Sequence, residues 1–63
     1  MVHIEDLDLS FRAYNVLRRE GLSTTEDLVL LSESDLLDMR NMGSAGVDDV
    51  KRALAAVGLK LRD

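Results

Sequence analysis

The stretch Asn41-Met42-Gly43-Ser44-Ala45-Gly46, followed by the run Val47 to Val57, decides how this chain folds. The first part reads as a tight turn and the second as an amphipathic helix that the turn opens. Val47, Val50, Ala53, Leu54 and Val57 recur at helical spacing and form one apolar stripe. Gly58 follows as a stop suited to a left-handed residue. A turn that opens a helix points free backbone N–H groups at whatever lies in front of it, which suits a phosphate. Lysine and arginine are absent from this turn, and Asp48 and Asp49 come directly after it.

Upstream of the turn the helical signals repeat. Ser10 is suited to cap a first helix that runs to about Glu20, with Gly21 as its stop. On a helical wheel Ala13, Tyr14 and Leu17 share one side with Phe11 at its edge, and Arg12, Asn15, Val16 and Arg19 share the other. Thr24 with Asp27, and Ser32 with Asp35, have the spacing of two capping boxes. Their helices, of about two turns each, carry Leu28 and Leu31, then Leu36, Leu37 and Met39. Neither could persist in isolation, so packing must hold both. Before Ser10, the stretch Ile4 to Leu9 reads as an irregular turn that lays Ile4, Leu7 and Leu9 on the core. After Gly58, Leu59 and Leu61 are expected to fold back over it, with Lys60 and Arg62 outward. Asp48 and Arg52 have the spacing of an i,i+4 ion pair. Proline is absent and strand-type alternation is missing, so the expected fold is all-α: a compact bundle of four to five short helices.

With 63 residues, the chain reads as a single domain over residues 1–63. A unit of this size buries only about 60% of its unfolded surface. Phe11 and Tyr14 are its only aromatic residues, so the core must be largely aliphatic. The absence of cysteine excludes disulfides and thiolate metal sites and fits a reducing, cytoplasmic setting. No apolar stretch approaches the roughly 18 residues of a membrane span, so no membrane partner is expected.

Catalysis has little to work with. The one histidine, His3, lies near a terminus, and no serine adjoins a plausible base. Asp48 and Asp49 point about 100° apart on a helix, which is a poor acid–base pair. The carboxylates fall at helix starts, where raised pKa values are not expected. No metal-ligand spacing occurs, and neither enzymatic activity nor a cofactor is expected.

Binding remains. The net charge of −4 argues weakly against a nucleic-acid partner, but its distribution is uneven. Six acids and no base lie between Glu20 and Asp38, whereas Arg12, Arg18 and Arg19 cluster early and Lys51, Arg52, Lys60 and Arg62 late. If the early and late segments meet, one face is basic and another acidic. The candidate binding surface is Arg12, Asn15 and Arg19 together with Gly43 and Ser44. Arginine can pair with phosphate or enter a narrow minor groove, and asparagine can reach phosphates or base edges. Ser44 could instead serve only as the cap of the last helix.

The run Ile4-Glu5-Asp6-Leu7-Asp8-Leu9-Ser10-Phe11-Arg12-Ala13-Tyr14-Asn15 carries a family resemblance. It joins Leu17, Glu20-Gly21, Asp27-Leu28, Leu36-Leu37, Arg40-Asn41-Met42-Gly43, Val50-Lys51 and Gly58-Leu59 in order and spacing. Together these closely resemble the C-terminal domain of the bacterial RNA polymerase alpha subunit, over nearly the whole chain. The resemblance implies a helix-hairpin-helix-related bundle that binds the minor groove of A/T-rich double-stranded promoter DNA. It also implies docking on sigma factor or transcription activators, a tether to the RNA polymerase core, and a cytoplasmic, nucleoid-associated setting. By the same resemblance Arg12 is the minor-groove arginine, Asn15 its neighbour and Gly43 a backbone donor to phosphate. Asp49 stands where the family has Glu and is expected to orient the arginine. Asp6 and Asp8 stand where the family presents carboxylates to basic protein partners.

Four positions depart from the family pattern: Val16 stands where it usually has Cys after the asparagine, and three more lie in the turn. Where it carries Lys or Gln, then Lys, then Ser, this chain has Ser44, Ala45 and Gly46. Each missing phosphate contact costs about tenfold in affinity and roughly one unit of salt dependence. Gly46 also costs the last helix up to about 1 kcal/mol relative to alanine. The departures point to a divergent or alpha-like paralogue with weakened DNA affinity. They leave a second reading open: a protein-interaction module of the same fold that recruits a transcription partner and no longer binds DNA.

Overall fold

Ser10 starts the first helix as its sequence position predicts: its hydroxyl accepts the Ala13 N–H at 3.2 Å. The computed structural model describes residues 2–62. A 3-10 turn at Ile4–Asp6 leads to α1 (Phe11–Arg19), α2 (Thr25–Leu28), α3 (Glu33–Leu37) and α4 (Ser44–Ala56). Among the described residues there is no strand, only a bridge between His3 and Thr24 that ties the N-terminal turn to the start of α2.

Two glycines close the two longer helices by the same geometry. Gly21 has φ +83°, and Leu22 N–H returns to Leu17 O at 3.0 Å. Gly58 has φ +79°, and Leu59 N–H returns to Leu54 O at 2.9 Å. Both are Schellman closures, in which a left-handed residue lets the backbone satisfy the last carbonyls of the helix. The capping boxes also form. The Asp27 carboxylate accepts from Thr24 N–H at 3.2 Å and from Ser23 N–H at 2.9 Å. Ser32 and Asp35 exchange bonds of 3.0 and 3.1 Å.

Ile4, Leu17, Leu28, Leu36, Val50 and Leu54 are fully buried, so every element gives at least one aliphatic residue to one core. Burial of each Leu or Ile contributes about 1.5–3 kcal/mol, which is how α2 and α3, each too short to stand alone, stay folded. The core is aliphatic as expected: Tyr14 is half-buried and Phe11 exposed. Leu7 and Leu61 complete its two ends.

Several expectations need correcting. Val16 is not on the polar face; it is buried at 2% exposure, because α1 turns Ala13, Val16 and Leu17 inward together. Phe11 lies outside that stripe rather than at its edge. Val57 leaves the α4 stripe and is 43% exposed, because the helix ends at Ala56. Leu37 and Leu59 are also exposed. Ser44 is not a cap: Gly43 holds that position and Ser44 begins the helix. Arg52 pairs with Asp49, three residues back, and not with Asp48. The late bases do not gather into a basic face. Lys51 meets Glu33 and Arg62 meets Asp35, each at 3.3 Å, so part of the acidic segment is neutralised by them.

Candidate nucleic-acid interface

Arg12 and Asn15 lie on the outer side of α1, which packs against α4. Opposite them runs the turn that opens α4. Asn41 takes φ 69°, an uncommon conformation outside glycine and one that asparagine tolerates. Met42 follows and is buried at 2% exposure, which anchors the turn to the core. Its sulfur lies 2.6 Å from where a Cβ on Gly46 would stand. Gly46 therefore makes room for Met42 within the first turn of α4, and its cost in helix propensity is tied to the seating of the turn.

Gly43 is exposed, with open space where a Cβ would project. The first backbone bond of α4 runs from Val47 N–H to Gly43 O at 3.1 Å. The N–H groups of Ser44, Ala45 and Gly46 precede it and are the free donors of a helix start. Between this turn and α1 lies an open groove of about 660 Å³, lined by Phe11, Arg12, Asn15, Arg19, Asn41 and Gly43. A second hollow of about 350 Å³ adjoins it, sharing Arg12, Asn41 and Gly43 and reaching Ala45, Gly46 and Asp49. Arg12 is the basic residue shared by both, and among the described residues it has no ion-pair partner.

Asp49 is near Arg12 but engaged elsewhere. Its carboxylate accepts the Ser10 N–H at 3.2 Å and pairs with Arg52. The Ser10 hydroxyl, then the Ser10 N–H and the Arg52 charge, hold it below the usual carboxylate value against the opposing effect of burial. Asp49 thereby fixes the start of the helix that carries Arg12. Asp6 and Asp8 are both exposed on the N-terminal segment, and neither lines the groove or the hollow.

Two features of the groove were not assigned from sequence. Arg19 donates to the Arg40 carbonyl oxygen and so straps the end of α1 to the residue before Asn41. Its spacing of four from Asn15 placed it on the right face but gave no sign of this acceptor. Asn41 itself lines the groove; the Asn-x-Gly sequence signalled a turn without showing where the asparagine faces. Among the described residues no three His, Asp or Glu residues converge as a metal site. No helix among them is long and apolar enough to cross a membrane.

Fold and groove define a small all-helical domain that sets an unpaired arginine against the open start of a helix. The protein belongs to the family described as the C-terminal domain of the bacterial RNA polymerase alpha chain, whose model matches residues 1–56. It is 55% identical over 60 residues to the DNA-directed RNA polymerase subunit alpha of Saccharopolyspora erythraea, a match covering 95% of this chain and 17% of that protein. The equivalent subunit of Leifsonia xyli subsp. xyli is also 55% identical over 60 residues, with 95% and 18% covered. The 63 residues therefore span under a fifth of the length of these curated relatives. Among solved structures, the domain is similar to the NMR structure of the C-terminal domain of the RNA polymerase alpha subunit from Helicobacter pylori. The TM-score is 0.82 at 33% identity, covering 95% of this chain and 53% of that one. The family is a transcription-related one, and this domain of it is non-catalytic.

Proposed function

We propose that residues 1–63 act as one DNA-binding domain of the transcription machinery, working at the nucleoid in the cytoplasm and tethered to the RNA polymerase core. Arg12 enters the minor groove of A/T-rich double-stranded DNA, where the narrow groove concentrates negative potential. Asn15 contacts the adjoining backbone or base edges. The N–H groups behind Gly43, with the Ser44 hydroxyl, receive a phosphate. Asp49 serves this site by holding the start of α1. Binding is weak, because residues 44–46 add no positive charge, and a tether supplies the effective concentration that weak binding needs.

The observation that supports this reading best is Arg12: exposed, without an ion-pair partner among the described residues, and shared by the groove and the adjoining hollow. The test is fluorescence anisotropy with A/T-rich and G/C-rich duplexes at low salt. The reading expects preference for the A/T-rich duplex, abolished in Arg12→Ala and only partly kept in Arg12→Lys, because an ammonium lacks the planar fork. Equal binding of both duplexes by wild type and Arg12→Ala contradicts it.

The same fold supports a second reading, in which Asp6 and Asp8 dock a basic surface of sigma factor or an activator and DNA is not bound. The observation in its favour is that both carboxylates are exposed while the turn carries no basic residue. Reversal at Asp6 and Asp8 to lysine separates the two: the second reading expects loss of a bound sigma or activator fragment from a protein that binds no duplex, and the first expects a duplex bound no more weakly than by wild type.

A further inference from the structure

Phe11 is 80% exposed, the most exposed of the large hydrophobic residues among those described. In a sequence with two aromatic residues, a ring left in water forgoes the burial that would otherwise be its main contribution. Its position is specific. It is the first residue of α1, adjacent to Arg12 and one helical turn before Asn15, so Phe11 and Asn15 share a face. It lines the same groove as Arg12, Asn15 and Gly43. The other exposed large apolar residues, Leu30, Leu37, Val57 and Leu59, line neither that groove nor the hollow beside it.

We propose that Phe11 is a DNA-contacting residue of this protein: its ring rests on the apolar sugar wall of the minor groove beside the point where Arg12 enters. This rests on the DNA-binding reading above and adds a non-ionic component to it. The charge arrangement selects the occupant. An unpaired arginine and the N–H groups of a helix start face the groove from two sides, which suits a polyanion. The walls of the DNA minor groove are deoxyribose edges, and minor-groove binders use apolar residues, phenylalanine among them, against sugars and base steps. Where residues 44–46 supply no positive charge, this ring supplies contact area that does not depend on counterion release.

That distinction makes the proposal measurable. A labelled A/T-rich duplex is titrated with wild type, Phe11→Ala, Phe11→Trp and Arg12→Ala across a series of NaCl concentrations, and NMR spectra confirm that each variant is folded. An exposed residue can be truncated with little effect on stability. Phe11→Ala is expected to weaken binding roughly three- to tenfold, the scale of one aromatic contact. The slope of log affinity against log salt should stay unchanged, and Phe11→Trp should retain wild-type affinity. Arg12→Ala should weaken binding and make that slope shallower by about one. If Phe11→Ala binds like wild type while Arg12→Ala is weakened, the proposal fails and the DNA-binding reading stands. A Phe11→Ala slope as shallow as that of Arg12→Ala also overturns it, since the ring would then act by holding the arginine. If Phe11→Ala keeps DNA affinity but loses a sigma or activator fragment, the proposal is overturned and the ring faces a protein instead. Wild type that binds no duplex at low salt overturns both readings together.

Discussion

The Asp49 carboxylate accepts the Ser10 backbone N–H at 3.2 Å, across 39 positions of sequence. Through this bond α4 holds the start of α1, and with it Arg12, two residues along. Asp49→Ala should lower the thermal midpoint and speed hydrogen exchange at the Ser10 amide, which loses its acceptor, and at the Ala13 amide, which bonds to the Ser10 hydroxyl. Asp49→Asn keeps an acceptor oxygen and should fall between that variant and wild type. Unchanged exchange at these amides in Asp49→Ala would show that the two helices are aligned without this bond.

Acid should destabilise the domain through three carboxylates. Asp27 is held below its ordinary value of 3.8 by the Ser23 and Thr24 N–H groups. Asp35 is lowered first by the Ser32 N–H, and also by the Ser32 hydroxyl and Arg62, while burial opposes them. Asp49 is lowered by the Ser10 hydroxyl before its other partners. In each case the folded value lies below the unfolded one, so the stabilisation is complete above the unfolded value. It is lost as pH falls through the folded values. Thermal melts between about pH 2 and pH 7 should therefore show a loss of stability beginning near pH 4, and Asp27→Asn should flatten part of it.

Gly46 and Met42 should behave as a coupled pair. Glycine to alanine inside a helix ordinarily gains about 1 kcal/mol. Here the added Cβ meets the Met42 sulfur, so Gly46→Ala should forgo that gain in the native background. In a Met42→Val background, where the sulfur is gone, the same substitution should become stabilising. Denaturant unfolding of the four proteins gives the cycle, and a stabilising Gly46→Ala in both backgrounds contradicts the coupling.

Arg19→Ala should loosen the turn rather than the core. It removes the donor to the Arg40 carbonyl, so exchange should quicken at the Met42 amide, which bonds to Met39 O at 3.2 Å, while the midpoint of global unfolding moves little.

Much of the fold was legible in the sequence because the signals are local. Ser10, Gly21, Asp27, Asp35 and Gly58 each act on backbone groups within a few residues, and each acts as its type predicts. What the sequence left open depends on partners far along the chain. Val16 and Arg12 share a face of α1 on a wheel drawn around Ala13, Tyr14 and Leu17, and only packing against α4 fixes the rotation that buries Val16. By spacing, Asp48 and Asp49 both fall within reach of Arg52, and the Ser10 N–H is what draws Asp49 inward. Arg19 could not be matched to Arg40, because its acceptor is a backbone carbonyl and carries no signature of residue type. Phe11, expected at the edge of the apolar side of α1, is exposed, because Leu, Ile, Val, Ala and Met42 fill the core and Tyr14 alone of the two rings packs against it.

Restoring charge to the turn should strengthen binding. Ala45→Lys places a cation beside the free N–H groups of α4, and it should tighten binding to an A/T-rich duplex about tenfold and steepen its salt dependence by about one unit. No gain would mean that the turn does not face phosphate.

The most direct test is an NMR titration of the labelled domain with an A/T-rich duplex at low salt. A grip on DNA centred on Arg12 predicts that the amides of Arg12, Asn15, Gly43 and Ser44 shift together, that added salt reverses the shifts, and that Arg12→Ala abolishes them. If those four amides stay still at high duplex concentration while a sigma or activator fragment moves Asp6 and Asp8, the account is contradicted.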